Sequence, residues 1–341
     1  MFLRFLLLPI SWLYGLVMII RNKFFDWNIL KQSKFEIPVI SVGNLAVGGT
    51  GKTPHVKWLT SKFDQFQTAI ILRGYGRKSK GFRLVQTHSQ IDEVGDEALE
   101  YKHSFSKNTH VAVSENRSQG LMELLKLDSS INLVFLDDAY QHRSISRNFN
   151  ILLTDYNRPY FKDYVIPTGR LREFRNGKKR ADALIVTKCP SNIDSNQKNQ
   201  IIQAINPDPK QKIFFSTIKY GPIVNLNTSE NNSLNEVDFV LLVTGIASPK
   251  PLVEHVATHC QLEHLVFSDH HPYSINDLHR IHQIFDKFAS PNKIILTTEK
   301  DKMRLFGKFA DKLTDYPWYF QSMTVELDNE KELISFIEQK I

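Results

Sequence analysis

Gly48-Gly49-Thr50-Gly51-Lys52-Thr53 follows on the apolar run Val39–Val42, and the reading of this stretch decides the fold. A triphosphate needs several backbone N–H groups pointing inward, and glycines let a chain fold that tightly around it. A helix beginning there adds the positive end of its dipole. Lys52 can then reach the β- and γ-phosphates, and the Thr53 hydroxyl suits Mg²⁺. Counting back from Lys52, the first glycine of the strict G-x-x-x-x-G-K-[ST] pattern falls at Ala46; Gly48 and Gly49 supply extra freedom. Gly48, Gly49, Thr50, Gly51, Lys52 and Thr53 are therefore expected to hold nucleotide phosphates.

Outward from this loop, short apolar runs alternate with stretches of helical period. Predicted strands are Val39–Val42, Thr68–Leu72, Val111–Val113, Leu133–Leu136, Ile151–Leu153 and Leu184–Val186, with helical segments such as His55–Phe63 and Gln119–Leu127 between them. Continuous apolar strands separated by helices predict a doubly wound, mostly parallel α/β sheet of the P-loop NTPase kind, here over residues 31–205. Composition then shifts to Asn, Ser, Gln, Asp and Lys, with one extended piece at Lys212–Ile218, so residues 206–235 read as a linker or ribbon. A smaller α/β domain is expected over residues 236–341: Phe239–Val243, a helix near Pro251–Cys260, Leu265–Phe267, a helix near Ile275–Phe288, and Lys293–Leu296.

The 341 residues suffice for two domains, and 42% hydrophobic with 23% charged residues excludes a disordered chain. A net charge of +7 favours an anionic partner. Cys189 and Cys260 form no CxxC pair, which suits a reduced compartment and excludes a zinc or redox motif.

Residues 1–30 read as an N-terminal apolar helix. Phe5 to Ile20 is almost wholly apolar, with Arg4 before it, Arg21 and Lys23 after it, and Trp12, Tyr14 and Trp27 as interfacial aromatics. The run falls short of the roughly 20 residues a spanning helix needs, and Pro9, Ser11 and Gly15 interrupt it. No small-x-small cleavage site follows it, and export would take a nucleotide site away from ATP. Membrane insertion or monotopic attachment is the expectation, with a helix docked on the protein's own core as the alternative.

Leu133–Leu136 ends in Asp137-Asp138, where a P-loop enzyme needs a carboxylate for Mg²⁺. Two basic stretches, Arg73 to Arg83 and Arg170 to Arg180, could meet phosphate or anionic lipid, or simply face solvent. They lack the interleaved aromatics of a nucleic-acid groove. Asp269-His270-His271 shows no third metal ligand, but a kinase acting on a hydroxyl needs a base in reach of that proton.

In their order along the chain, the motifs resemble the tetraacyldisaccharide 4′-kinase family, the lipid A kinases of Gram-negative bacteria. They are Ser41-Val42-Gly43-Asn44 leading to Gly48–Pro54; Arg73-Gly74-Tyr75-Gly76; Val94-Gly95-Asp96-Glu97; Asp137-Asp138-Ala139-Tyr140-Gln141-His142; Pro167–Gly169 with Leu171-Arg172-Glu173; Phe267-Ser268-Asp269-His270; and Thr298-Glu299-Lys300-Asp301. The apolar N-terminus matches too, while Ala139-Tyr140 stands where the family usually has Gly-Phe. The resemblance implies transfer of the γ-phosphate of ATP, with Mg²⁺, to the 4′-hydroxyl of an acylated glucosamine disaccharide 1-phosphate, at the cytoplasmic face of the inner membrane. It implies Asp96 as catalytic base paired with His270, Arg172 on phosphate charge, and Glu97, Asp137, Asp138 and Glu173 on metal or nucleotide. It places the Thr298–Asp301 turn near the nucleotide, and it requires no obligate protein partner.

Two other classes carry a P-loop: a regulatory GTPase or metal-insertion factor, with Thr298–Asp301 as a guanine-reading loop, and a membrane ATPase whose basic patches only bind lipid. The first gives no role to the apolar N-terminus or to Asp96 with His270.

Overall fold

Strand β1 (Val39–Asn44) is buried along its whole length, as an apolar strand covered on both faces should be. The fold is that of a computed structural model describing residues 6–105 and 108–341. The first lobe continues with β2 (Thr68–Leu72), the short β3 (Arg83–Leu84), β4 (Thr109–Val113), β5 (Leu133–Asp137), β6 (Phe149–Asp155) and β7 (Ala183–Thr187). Every pairing among these strands is parallel except that of edge strand β3 with β4. Helices α1 (Leu8–Asp26), α2 (Lys52–Lys62), α3 (Ile91–Val94), α4 (Asp96–Ser104), α5 (Arg117–Leu127) and α6 (Ser195–Ile205) belong to this half.

The next strand runs through the segment read as a linker or ribbon and extends the piece expected at Lys212–Ile218. β8 (Lys212–Asn225) runs for 14 residues. Its first residues pair parallel with β7, Ala183 opposite Lys212 and Val186 opposite Phe215. The remainder runs antiparallel to a strand of the second lobe. Its composition misleads because the buried Phe214, Phe215 and Ser216 are followed by exposed Lys219, Gly221 and Pro222 in the same strand.

The second lobe holds β9 (Asn231–Asn232), β10 (Phe239–Thr244), β11 (Gln261–Val266), β12 (Lys293–Thr298) and β13 (Trp318–Leu327), with α7 (Lys250–Ala257), α8 (Ile275–Asp286), α9 (Glu299–Leu313) and α10 (Glu330–Glu338). The described strands form one sheet in the order β11-β10-β12-β13-β8-β7-β6-β1-β5-β2-β4-β3, with β9 on β8. The expected boundary at residue 236 does not follow the packing. Leu333 and Ile337 of α10, with Val325 and Leu327 of β13, complete the core of the first lobe.

Helix α1 lies against the first lobe by a narrow seam. Ser11, Gly15 and Phe25 are its buried residues. Ser11 Oγ donates to Thr168 Oγ1 at 2.8 Å and accepts from Thr168 N at 3.0 Å. A Cβ at position 15 would collide with the Phe174 ring, so the approach requires glycine. The rest of the helix presents Leu13, Leu16, Val17 and Ile20 to the outside. Among the described residues no helix is long and apolar enough to cross a membrane. Arg4 and Phe5 lie outside the described residues.

Candidate active site

One cavity of about 870 Å³ lies between the lobes. Its walls are Tyr14, Met18 and Arg21 of α1, the Gly48–Thr53 loop, Asp137 and Asp138 at the end of β5, and His270 and Lys300 of the second lobe. The loop leaves β1 and enters α2 through Gly51, whose φ of 84° is left-handed, as is the φ of 111° at Gly48. Lys52 opens the helix, with Nζ 3.7 Å from Asp138 Oδ1.

Asp137 and Asp138 part company. Asp138 is half-buried, in a left-handed conformation (φ 47°) that aims its carboxylate at Arg172. Arg172 grips it with two prongs, 2.7 Å to Oδ1 and 2.9 Å to Oδ2. Burial pushes Asp138 up, but Lys52 and Arg172 hold it below the usual carboxylate range. Asp137 is buried, with Oδ2 accepting from Tyr101 Oη at 3.0 Å and Oδ1 left without a partner. Burial and the charge of Glu97 raise it to about 7, against Lys52. A buried, unpartnered carboxylate oxygen beside the phosphate loop is short of positive charge, which fits a divalent cation.

The second chemical cluster joins the lobes. Asp96, the first residue of α4, sits behind the cavity wall and His270 lines it. His270 Nδ1 lies 3.0 Å from Asp96 Oδ2, and its Nε2 lies 3.0 Å from Lys300 Nζ. An ammonium can only donate, so Nε2 is an acceptor, the proton is on Nδ1, and the ring is neutral. Asp96 also accepts from Arg304 Nε at 3.0 Å and from Glu97 N at 2.9 Å. Burial raises Asp96, yet the His270 hydrogen bond and the charges of Lys300 and Arg304 bring it down to about 2. The expected pair is present, with His270 rather than Asp96 facing the cleft. His270 has φ 57°, a strained backbone of the sort that clusters at functional sites.

Among the other expected residues, Thr53 and Glu97 line the cavity, and Glu97 Oε1 pairs with Lys300 at 3.0 Å. Glu173 does not reach the cavity wall. It is buried with hydrogen bonds from Asn22 at 2.9 Å, Gln141 at 3.0 Å and Arg180 at 2.7 Å, so it ties α1 to the lobe. Among the described residues no group of three or more His, Cys, Asp or Glu could hold a metal alone, so a cation here would complete its shell from phosphates and water. Of the basic stretches, Arg73 and Arg172 line the cavity, while Arg77, Lys78 and Arg170 pair with Glu115, Asp92 and Asp163. His271 pairs with Asp277.

The Thr298–Asp301 turn is the cap of α9. Asp301 is fully buried, accepting from Gly245 N, Tyr273 Oη and Thr298 Oγ1, and so is not free to read a guanine. Thr298, Glu299 and Lys300 line the cavity.

Sequence reasoning missed Lys300 as a partner of His270, and it missed Arg304 and Arg117. The i, i+4 spacing of Lys300 and Arg304 on α9 was an available signal, since it puts both on one helix face. Arg117 carried none: its place in the cavity wall depends on β4 and β5 being neighbours of β2.

A family model described as tetraacyldisaccharide-1-P 4′-kinase matches residues 3–341. The tetraacyldisaccharide 4′-kinase of Bacteroides thetaiotaomicron is 43% identical over 313 residues, covering 88% of this chain and 82% of that protein. The Flavobacterium psychrophilum protein of the same name is 41% identical over 344 residues, covering 99% of this chain and 98% of its own. The crystal structure of Aquifex aeolicus LpxK in complex with ATP superposes with a TM-score of 0.77 at 29% identity, covering 99% of both chains.

Proposed function

Because this chain belongs to the tetraacyldisaccharide-1-P 4′-kinase family, we propose that its cleft seats ATP on the Gly48–Thr53 loop and sets the acceptor hydroxyl against His270. The protein is an ATP-dependent kinase of lipid A biosynthesis, transferring the γ-phosphate to the 4′-hydroxyl of a tetraacylated glucosamine disaccharide 1-phosphate. One observation carries the division of labour: the phosphate loop, α1 and His270, backed by Asp96, all border a single cavity.

The 4′-oxygen attacks the γ-phosphorus, the bond to the β–γ bridging oxygen breaks, and ADP leaves. The hydroxyl proton passes to His270 Nε2 once Lys300 yields that lone pair, while Asp96 keeps the other ring proton on Nδ1. Lys52 and Arg172, which share Asp138 in the structure, turn to the transferring phosphoryl oxygens. Asp137 and Thr53 would hold Mg²⁺, which neutralises phosphate charge when bound. Glu97 holds Lys300 in place.

The acceptor is an amphiphile, and the outward face of α1 is apolar while its Tyr14, Met18 and Arg21 border the cavity. That supports a helix lying in the cytoplasmic surface of the inner membrane and delivering lipid headgroups to the cleft. Incubation with γ-labelled ATP and the tetraacylated disaccharide 1-phosphate tests the whole reading. Label must appear in lipid; label confined to free phosphate would sink it.

A further inference from the structure

Every carbonyl from Gly49 to Gly51 is held by a side chain. Asn44 Nδ2 lies 3.5 Å from Gly48 O. Lys188 Nζ, anchored by Asp155 at 2.9 Å, donates to Gly49 O. Thr187 Oγ1 donates to Thr50 O at 2.9 Å. His55 Nδ1 donates to Gly51 O at 2.6 Å, and its Nε2 accepts from Ser216 Oγ on β8 at 2.8 Å. Both nitrogens of this fully buried imidazole are therefore spoken for, and burial lowers it to about 4, so it stays neutral.

In a trans peptide the C=O and the next N–H point to opposite sides of one plane. Fixing the carbonyls of Thr50 and Gly51 thus fixes where the N–H groups of Gly51 and Lys52 point. A glycine-rich loop is otherwise among the most mobile of backbones, and ordering it would be charged against nucleotide binding.

We propose that Thr187, Lys188 and His55 are positioning residues that hold the phosphate loop in its anion-binding shape before nucleotide arrives. This rests on the reading of Gly48–Thr53 as the triphosphate site. Thr187 ends β7, Lys188 follows it and His55 is one turn into α2, so the scaffold ties the loop to two neighbouring strands, β7 and β8. A preorganising contact serves ground state and transition state alike, so its loss raises KM and spares kcat.

The test uses the full-length protein in detergent with its lipid acceptor. Thr187→Val keeps shape and removes the donor; it should raise KM for ATP about tenfold, leave kcat within about twofold, and leave KM for the lipid unchanged. Thr187→Ser should restore wild-type KM. His55→Gln, which can still bridge donor and acceptor, should outperform His55→Leu in ATP affinity measured by calorimetry. Wild-type KM for ATP in Thr187→Val, or a fall in melting temperature with both constants unchanged, would overturn the proposal. Binding of ATP and inorganic triphosphate to the wild type checks the loop itself. If both bind while Thr187→Val matches the wild type, only the scaffold fails; if neither binds, the triphosphate site and the scaffold fall together.

Discussion

Lys300 and His270 meet nitrogen to nitrogen at 3.0 Å, an ammonium donating into the lone pair that a substrate hydroxyl would need. Glu97, at 3.0 Å on the other side of Lys300, gives that ammonium somewhere else to go. The contact fixes the ring tautomer and thereby identifies Asp96 as the partner of the Nδ1 proton.

Asp96→Asn should therefore lower kcat by roughly 10²–10⁴, because the amide no longer selects the reactive tautomer. KM for ATP should change little. Arg304 loses one of its two carboxylate partners, keeping Asp301 at 3.1 Å, so melting temperature should drop. Steady-state transfer of labelled phosphate measures the first effect, and a kcat within twofold of wild type would refute the role.

Arg172→Lys keeps the charge and loses the fork. The two-pronged grip on Asp138 shows a guanidinium aligned for planar oxygen pairs, which a point charge cannot reproduce. A fall in kcat of roughly 10- to 100-fold is expected, with Arg172→Ala lower still. Equal rates for Lys and Arg would show that only net charge matters here.

Gly15→Leu should pry α1 from Phe174. KM for the lipid should rise about tenfold while KM for ATP holds, because the proposed role of α1 is to deliver the acceptor and its side chains hydrogen-bond to Thr168, Gln141 and Glu173, not to residues 48–53. Exchanging Leu13 and Val17 on the outward face for Asp should weaken co-sedimentation with anionic vesicles and leave ATP affinity intact. Unchanged sedimentation would confine α1 to a packing role.

Acid should destabilise the fold through His55. Its folded value, about 4, lies below the usual 6.5, so the unfolded chain binds more protons between those limits. Stability from this group is complete above about 6.5 and is lost as pH falls toward 4. His142, also lowered to about 4 by burial and by Arg117, acts in the same direction. Thermal unfolding from pH 4.5 to 7.5 should give a steeper slope for wild type than for His55→Gln; identical slopes would contradict the assignment.

The fold was legible where one residue type had one physical use. Gly48–Thr53 required a strand before it and a helix after it, and both are there. Apolar β1, β2, β5 and β7 could only be interior strands, being buried on both faces. Only the first half of β8 was legible, as the extended piece at Lys212–Ile218; beyond it the exposed Lys219, Gly221 and Pro222 read as a linker. The site divided similarly. Its motifs named Asp96, His270, Asp138 and Arg172, but sequence order does not say which member of a pair faces the cavity. Nor does it distinguish Glu173, which braces α1 through Asn22, from a carboxylate that meets a ligand.

The seam that binds α1 to Thr168 and Phe174 also has a kinetic consequence. An enzyme whose acceptor enters along a helix lying in the proposed membrane surface draws that acceptor from two dimensions, so its substrate is counted per unit area. Diluting the lipid with inert detergent at fixed bulk concentration should then slow the enzyme, while diluting the whole mixed micelle at saturating ATP should not. Its working constant for lipid would be a mole fraction.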